Sequence, residues 1–379
     1  MRTLLASVSM LAVSAYTLLP PALPEIAAEF AVTTGKAGLV TVAATLPGIV
    51  LAPLLGVLAD RYGRRELLIG CLLAFAVGGC ATAFAPTFAA VIACRLVQGV
   101  GGAGLIGLVM AEIGSRWQGA ACTTVMGRNA AAIGVAVIAW PALGGLLTST
   151  GGWRLACLPA AGGLLAAEAI RRSMPPSSRS TIPLSGQLRA AYDAVRDPRL
   201  RRWLVAGAVV FLLLFGLLLT ALPEHLDTEF ELQAWQRGLV LALPASTSTL
   251  AALLLGRVTN RWGADVVLTA GFAIVAIAFA ALAVAPSLPV VGLALLCYGL
   301  GEGLLIPTIQ TAAAGVGTEA NRGTTVAVFV SCTRLGQTSG PLLVAPVPGP
   351  EAAFVLGAVG AGCLAVAGLR QSVAEATRT

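Results

Sequence analysis

Ionisable residues stand inside several long apolar runs of this chain. Glu302 lies midway along a run containing "YGLGEGLLIP" (298–307), Arg334 lies midway along the next run, and Arg95 lies about two turns into the run that begins near residue 88. A charge at the centre of a bilayer costs about 3 kcal/mol or more, so such residues face a bundle interior and take a partner. Glu302 and Arg334 are the only charges deep in the C-terminal half, and a buried pair is the simplest arrangement. Desolvation and a neighbouring guanidinium act on a carboxyl with opposite sign, a balance that can poise Glu302 to take up and release protons. The alternative is a static ion pair. Arg95, roughly 11 Å from the outer start of its run at about 1.5 Å per residue, can snorkel outward or point inward. Arg128, near the cytoplasmic end of its run, can snorkel or pair with Glu112.

A second cluster of charge fills the hinge "GVLADRYGRR" (56–65). The stretch from Ala37 to Leu55 carries no charge; then Asp60, Arg61, Arg64, Arg65 and Glu66 arrive together. Asp60 falls where a helix ends, and the helix dipole opposes a carboxylate there. It therefore calls for an arginine or the positive N-terminus of another helix, such as the one starting near Gly323-Thr324. Gly56, one turn earlier, permits close helix approach. Arginines alone would serve as a topology signal; they do not explain an aspartate set between Gly56 and Gly63.

The elements that must position these residues are membrane-spanning helices. The chain has 379 residues, 57% hydrophobic and 11% charged, against about 25% charged in an average soluble domain. Twelve apolar stretches reach the length of about 20 residues that a spanning helix requires: 3–23, 37–58, 67–86, 88–111, 122–148, 153–171, 203–222, 237–258, 265–285, 289–312, 323–346 and 351–370. They are too long and too little alternating for barrel strands, so the fold is all-helical. The first run reads as an uncleaved helix rather than a signal peptide. A polar, Pro/Ser-rich, basic linker at 172–202 divides the chain into six-helix bundles at 1–171 and 203–379. The spacing of apolar residues from Leu184 to Trp203 suits a short helix on the membrane surface. Placing both termini on one side gathers nearly all the arginines there and leaves Lys36, Arg154 and Arg237 on the other, so both termini and the linker are expected to be cytoplasmic. Glu25, Glu29 and Glu168, near span ends, are expected to be solvated or interfacial.

The hinge has an echo. "GRVTNRWGADVVL" (256–268) follows the eighth span as "GVLADRYGRRELL" follows the second, matching Gly56 with Gly256, Arg61 with Arg261 and Gly63 with Gly263, while Asn260 replaces Asp60. Two such halves suggest duplicated bundles with a substrate site between them near the midplane.

The hinge resembles the signature of the loop between helices 2 and 3 in the major facilitator superfamily, in Gly56, Leu58, Asp60, Arg61, Gly63, Arg64 and Arg65. "RLVQGVGGA" resembles that family's helix-4 motif in Arg95, Gln98, Gly99, Gly101 and Ala103. "WPALGG" keeps Pro141, Gly144 and Gly145 of the helix-5 antiporter motif but has Trp140 where the family usually has glycine. "RLGQTSGPLL" on helix 11 places Gly336, Gly340 and Pro341 in a related arrangement. The resemblance covers the whole chain and is greatest to the twelve-helix drug and metabolite proton antiporters. It implies a cytoplasmic latch at the hinge and an inward-facing, proton-coupling Arg95.

The expected function is secondary active transport in the cell (inner) membrane, as proton-coupled efflux of a lipophilic or amphipathic small molecule by a monomer. The proton gradient is the drive and no cofactor is expected. A mostly apolar cavity is implied, with Ser14, Tyr16, Thr17 and Thr220 as scattered polar groups; a sugar would need many more. An importer or a sugar-efflux permease is the alternative. No pore loop or ring of acids favours a channel. One histidine, eight scattered cysteines without CxxC spacing and no phosphate-binding loop argue against an enzyme or a metal site. "GVGGAG" (99–104) lies inside a span with no preceding strand, so its glycines read as helix packing rather than a nucleotide loop. The basic residues are scattered between apolar runs and do not form a nucleic-acid surface.

Overall fold

The computed structural model describes residues 1–175, 196–316 and 322–376; the side chains at 53, 56, 57, 60, 322–324 and 370–376 lie outside that description. The proposed surface helix at 184–203 falls mostly outside the described residues; the chain is helical again from Pro198. Among the described residues all regular structure is helical.

Among the described residues nine helices are long and apolar enough to cross a membrane; divided at their kinks and with the shorter helices added, they give twelve segments. They are α1 (Arg2–Glu29), α2 (34–62), α3 (Arg64–Thr82), α4 (Phe88–Arg116), α5 (119–150), α6 (153–173), α7 (Pro198–Thr228), α8 (234–262), α9 (264–283), α10 (Leu288–Val316), α11 (Arg322–Val344) and α12 (Pro350–Ala376). Several are irregular. α1 leaves α-helical winding after Thr17 and passes through a tight turn at Pro20–Ala22. α7 winds as a π-helix over Leu214–Ala221, so Thr220 Oγ1 donates to the carbonyl five residues back, Phe215 O, at 2.8 Å. Such π segments are rare and concentrate at functional sites.

The chain divides into two compact units. Unit 1 is Met1–Ala190 with Gln233–Gly238; unit 2 is Ala191–Leu232 with Leu239–Thr379. The first turn of α8 therefore packs in unit 1, although the sequence reading places it in the second bundle. The core of unit 1 is built from Leu5, Leu68, Phe75, Leu105, Ile113 and Ile170, all fully buried.

The duplication seen in the hinge extends to backbone geometry. Gly63 and Gly263 both break their helices with positive φ, 98° and 82°, a region that costs a side-chain-bearing residue about 1–2 kcal/mol. Near the other end of each pair of helices, Ala31 and Glu231 share φ of 50° and 51° despite carrying side chains. Both follow the dipeptide Glu-Phe, at Glu29-Phe30 and Glu229-Phe230.

The glycines of α4 do pack helices. A methyl group on Gly99 would come within 2.7 Å of Ala44 O on α2, and one on Gly101 would collide with Phe75 N and Cys71 O on α3. Gly107, further along α4, faces nothing within 4 Å. Backbone cannot yield cheaply, so Gly101→Ala is expected to destabilise the protein by about 1–3 kcal/mol, whereas Gly107→Ala should be neutral or stabilise by up to about 1 kcal/mol. Thermal unfolding of the purified protein, followed by the exposure of buried Cys71 and Cys157 to a thiol dye, checks both signs.

Candidate functional site

Arg95 lies in the interior of unit 1, only 3% exposed. Its position on α4 sends the guanidinium between α1 and α2. Nε donates to Val40 O at 3.1 Å, one terminal nitrogen donates to Ala15 O, and the other donates to Gln98 Oε1. All three acceptors are neutral. Arg95 thus points inward rather than snorkelling. A planar fork with several fixed donors is what spanning three acceptors requires.

Unit 2 places Glu302 half-buried on α10, one turn after the fully buried Tyr298, whose ring meets Phe279 edge-on. The expected Glu302–Arg334 pair is not formed: among the described residues Glu302 has no ion-pair partner. Arg334 instead donates to Gln337 Oε1 at 3.1 Å. The cause is local. Gln337 follows Arg334 by three residues, as Gln98 follows Arg95, and a same-face neighbour on one helix needs no second helix to come into register.

At the hinge, Gly63 turns the chain and Arg64 and Arg65 begin α3. Arg65 donates to Arg171 O at 2.6 Å, tying α3 to the end of α6. Arg64 approaches Glu112 of α4 at 4.0 Å, and Arg116 binds the same carboxylate. Glu112 is therefore engaged by these two, while Arg128 is exposed. Arg61 stacks over Tyr62, 5.7 Å from the ring centroid. The side chains of Gly56 and Asp60, and the expected partner region at Gly323-Thr324, lie outside the described set. In the echo, Asp265 stands where the first copy has Arg65, and it pairs with Arg202.

The helix-5 motif joins segments of unit 1. A methyl on Gly144 would collide with Leu18 O of α1, one on Gly145 with Ala234 O, and one on Gly238 with Pro141 O. Trp140, the departure from the family pattern, half-buries its indole and donates Nε1–H to Met10 O at 2.8 Å.

Three of the expected cavity groups donate within their own helices. Ser14, Thr17 and Thr220 are buried, and their hydroxyls donate to Leu11 O, Val13 O and Phe215 O of their own helices. Short hydroxyl side chains in helices satisfy themselves this way, so only acceptor capacity remains; Tyr16 is half-buried. Glu25 and Glu29 are not simply solvated. Glu25 holds Arg237, which is 1% exposed and also donates Nε–H to Pro21 O at 2.9 Å. Glu29 holds Arg154 and accepts from Trp153 Nε1 at 2.6 Å. Arg154 and Arg237 are two of the three basic residues assigned to the outer side, and each has an acid of α1 beside it. That Arg154 and Arg237 each needed a counter-charge was the available signal. Glu168 pairs with Arg171 and Arg172 near the end of α6, consistent with an interfacial place. The eight cysteines are free thiols.

The family model of the Major Facilitator Superfamily matches residues 5–341 and 204–376. A chloramphenicol resistance protein of Streptomyces lividans is 31% identical over 346 residues, covering 84% of this chain and 85% of its own. The bacillibactin exporter of Bacillus subtilis is 26% identical over 356 residues, 89% of this chain and 87% of its own. The crystal structure of the human organic anion transporter MFSD10 covers 97% of this chain and 98% of its own with a TM-score of 0.71 at 23% identity, a likeness of fold. The chain belongs to the Major Facilitator Superfamily and is a multi-pass membrane transporter.

Proposed function

We propose that the protein is a proton-coupled exporter of a lipophilic or amphipathic small molecule, working by alternating access in the cell membrane with both termini in the cytoplasm. The observation that carries proton coupling is Glu302. It is a carboxyl inside a spanning helix, and among the described residues it has no cation beside it. A carboxylate so placed is costly and its neutral form is not, which makes this a position where taking up and losing a proton changes the energy of unit 2. Export, rather than import, is supported by the names of the resistance protein and the siderophore exporter that the chain resembles along most of its length. An amphipathic solute is supported by the apolar composition of α7. The hinge at Gly56, Asp60, Arg61, Gly63, Arg64 and Arg65 serves as the cytoplasmic latch, and the Arg64–Glu112–Arg116 cluster sets its base. Arg95, with three neutral acceptors, is a positioning residue for α1 and α2 in this reading, and the proton is handled by Glu302.

Chloramphenicol is the first probe. In cells expressing the protein its accumulation should be lower than in control cells, and collapsing the proton gradient should abolish the difference; a rise in accumulation that depends on the gradient would mark an importer. In proteoliposomes, Glu302→Gln should reduce gradient-driven transport by roughly tenfold or more, at least about 1.4 kcal/mol in the barrier, while the melting temperature is retained. Full coupled activity in that variant would overturn the assignment. Arg95→Lys keeps the charge but cannot span Val40 O, Ala15 O and Gln98 together. It should lower stability by about 1–3 kcal/mol, read as a loss of melting temperature that Glu302→Gln does not show.

A further inference from the structure

The ends of the two units that carry the Glu-Phe turns are built on one plan. In unit 1 the tail of α1 is tied to the start of α6: Glu29 holds Arg154 and Trp153, and Phe30 packs against the Trp153 ring at 5.9 Å between centroids. In unit 2 the tail of α7 is tied to the start of α12. His225 Nδ1 lies 3.2 Å from Glu351 Oε1, and the imidazole meets Phe230 and Phe354 edge-on, at 5.6 Å and 5.4 Å. In the register that matches Glu29-Phe30 with Glu229-Phe230, His225 stands opposite Glu25 and not Glu29, so unit 2 ties the same ends through a different pair and with a base of another kind. Arginine keeps its charge at every working pH, whereas imidazole is the side chain that gains and loses charge between about pH 5 and 8.

His225 is the chain's single histidine, and the transport reading above gives it no task. It is 3% exposed, and its Nε2 is buried without a hydrogen-bond partner among the described residues. It sits in the last turn of its helical segment, where a cation is favoured, and Glu351 sits in the first turn of α12, where an anion is favoured. His225, Glu351 and Glu229 line a cavity of about 230 Å³ with Phe230. The wall that the α9–α10 turn adds, Ala283 to Pro286, brings no charge. Glu224 and Asp227 flank His225 on its own helix. Every charged group named here is an acid.

We propose that the His225–Glu351 contact is a proton-dependent staple at the outer end of unit 2. With the imidazole neutral, one hydrogen bond to a carboxylate holds α7 to α12. When a ring nitrogen takes a proton from the outer water, the same contact becomes an ion pair, and bonds between two charged partners are the stronger kind. The added hold is fully present while the imidazole is protonated and is lost as the pH rises and it deprotonates. The staple of unit 1, made by an arginine, does not respond, so acid on the outer side tightens one unit and leaves the other unchanged.

Hydrogen exchange of the full-length protein in lipid nanodiscs, where both faces meet the buffer, tests this without any transport measurement, so its outcome is independent of the roles given to Glu302 and to the substrate. Exchange is compared at about pH 5.5 and about pH 8, corrected for the intrinsic chemical rate. Protection of residues 222–231 and 350–356 should be roughly two- to fivefold greater at the lower pH, the range a half-exposed ion pair supplies; residues 23–30 and 152–158 should show no such change. His225→Gln, which can hydrogen-bond but not titrate, should remove the difference. His225→Arg, which copies the kind of base used in unit 1, should hold the higher protection at both pH values. Should either fail to fold, Glu351→Gln at its half-exposed position should abolish the difference in the same way. An unchanged pH response in these variants, or no response in the unmodified protein, overturns the proposal.

Discussion

The break in α1 between Thr17 and Leu23 is a helix interruption at membrane depth, and its consequences organise unit 1. Regular winding stops after Thr17 and resumes beyond Pro20–Ala22, so carbonyls on both sides of the break lose helical partners. In lipid there is no water to replace them. Two arginines supply the missing donors. Arg95 from α4 reaches Ala15 O before the break, and Arg237 from the first turn of α8 reaches Pro21 O within it. Each cation then needs further acceptors, which recruits Val40 of α2 and Gln98 for Arg95, and Glu25 for Arg237. The glycines that let backbone approach backbone follow the same logic: Gly144 on α5 lies against Leu18, inside the broken stretch. Motifs that look separate in the sequence, on helices 4 and 5, thus serve one damaged turn of α1.

Much of this was legible in one dimension, because hydropathy and glycine spacing are local properties. The all-helical apolar fold, the turns at Gly63 and Gly263, and the packing role of Gly99 and Gly101 follow from what neighbours along the chain look like. The location of interior charge was legible too, since an arginine or a glutamate in an apolar run is conspicuous. What such a charge meets was not. Glu25 and Arg237 are 212 residues apart, and Glu29 and Arg154 are 125 apart; hydropathy marks each member and gives no hint of the other. Pairing Glu302 with Arg334 followed from opposite charge at similar depth. It overlooked Gln337, one turn along the same helix, which meets the guanidinium without asking two helices to align. The polarity of Ser14, Thr17 and Thr220 was legible, but not that each hydroxyl donates to a carbonyl of its own helix.

Comparison of the repeats separates what the fold requires from what has been free to change. The turns are kept: a positive φ at 63 and 263, and again at 31 and 231, in the second pair even at a cost to Ala31 and Glu231. The charges on those turns are not kept. Asp60 becomes Asn260, Arg65 becomes Asp265 with Arg202 as its new partner, and Glu25, which holds Arg237, becomes His225 with Glu351 as its partner. Backbone geometry at a helix reversal has few solutions, so divergence spares it. A side-chain tie between two helices has many, and only the existence of some tie is demanded.

That freedom has been used unequally. In unit 1 the acids Glu25, Glu29, Glu112 and Glu168 each stand beside an arginine, a cation at every working pH. Unit 2 has such a pair in Asp265 and Arg202, but it also holds Glu302, which has no cation beside it among the described residues, and His225, whose partner is an acid and whose second nitrogen is unmet. Permanent charge stiffens a contact and makes it indifferent to protons; titratable charge does the reverse. A carrier driven by protons needs both, because a movement can be coupled to protonation only against parts that do not respond to it. On the proposed reading of Glu302 and His225, placing the permanent pairs mainly in one half and the titratable groups in the other gives a duplicated fold that division of labour without altering the turns both halves share.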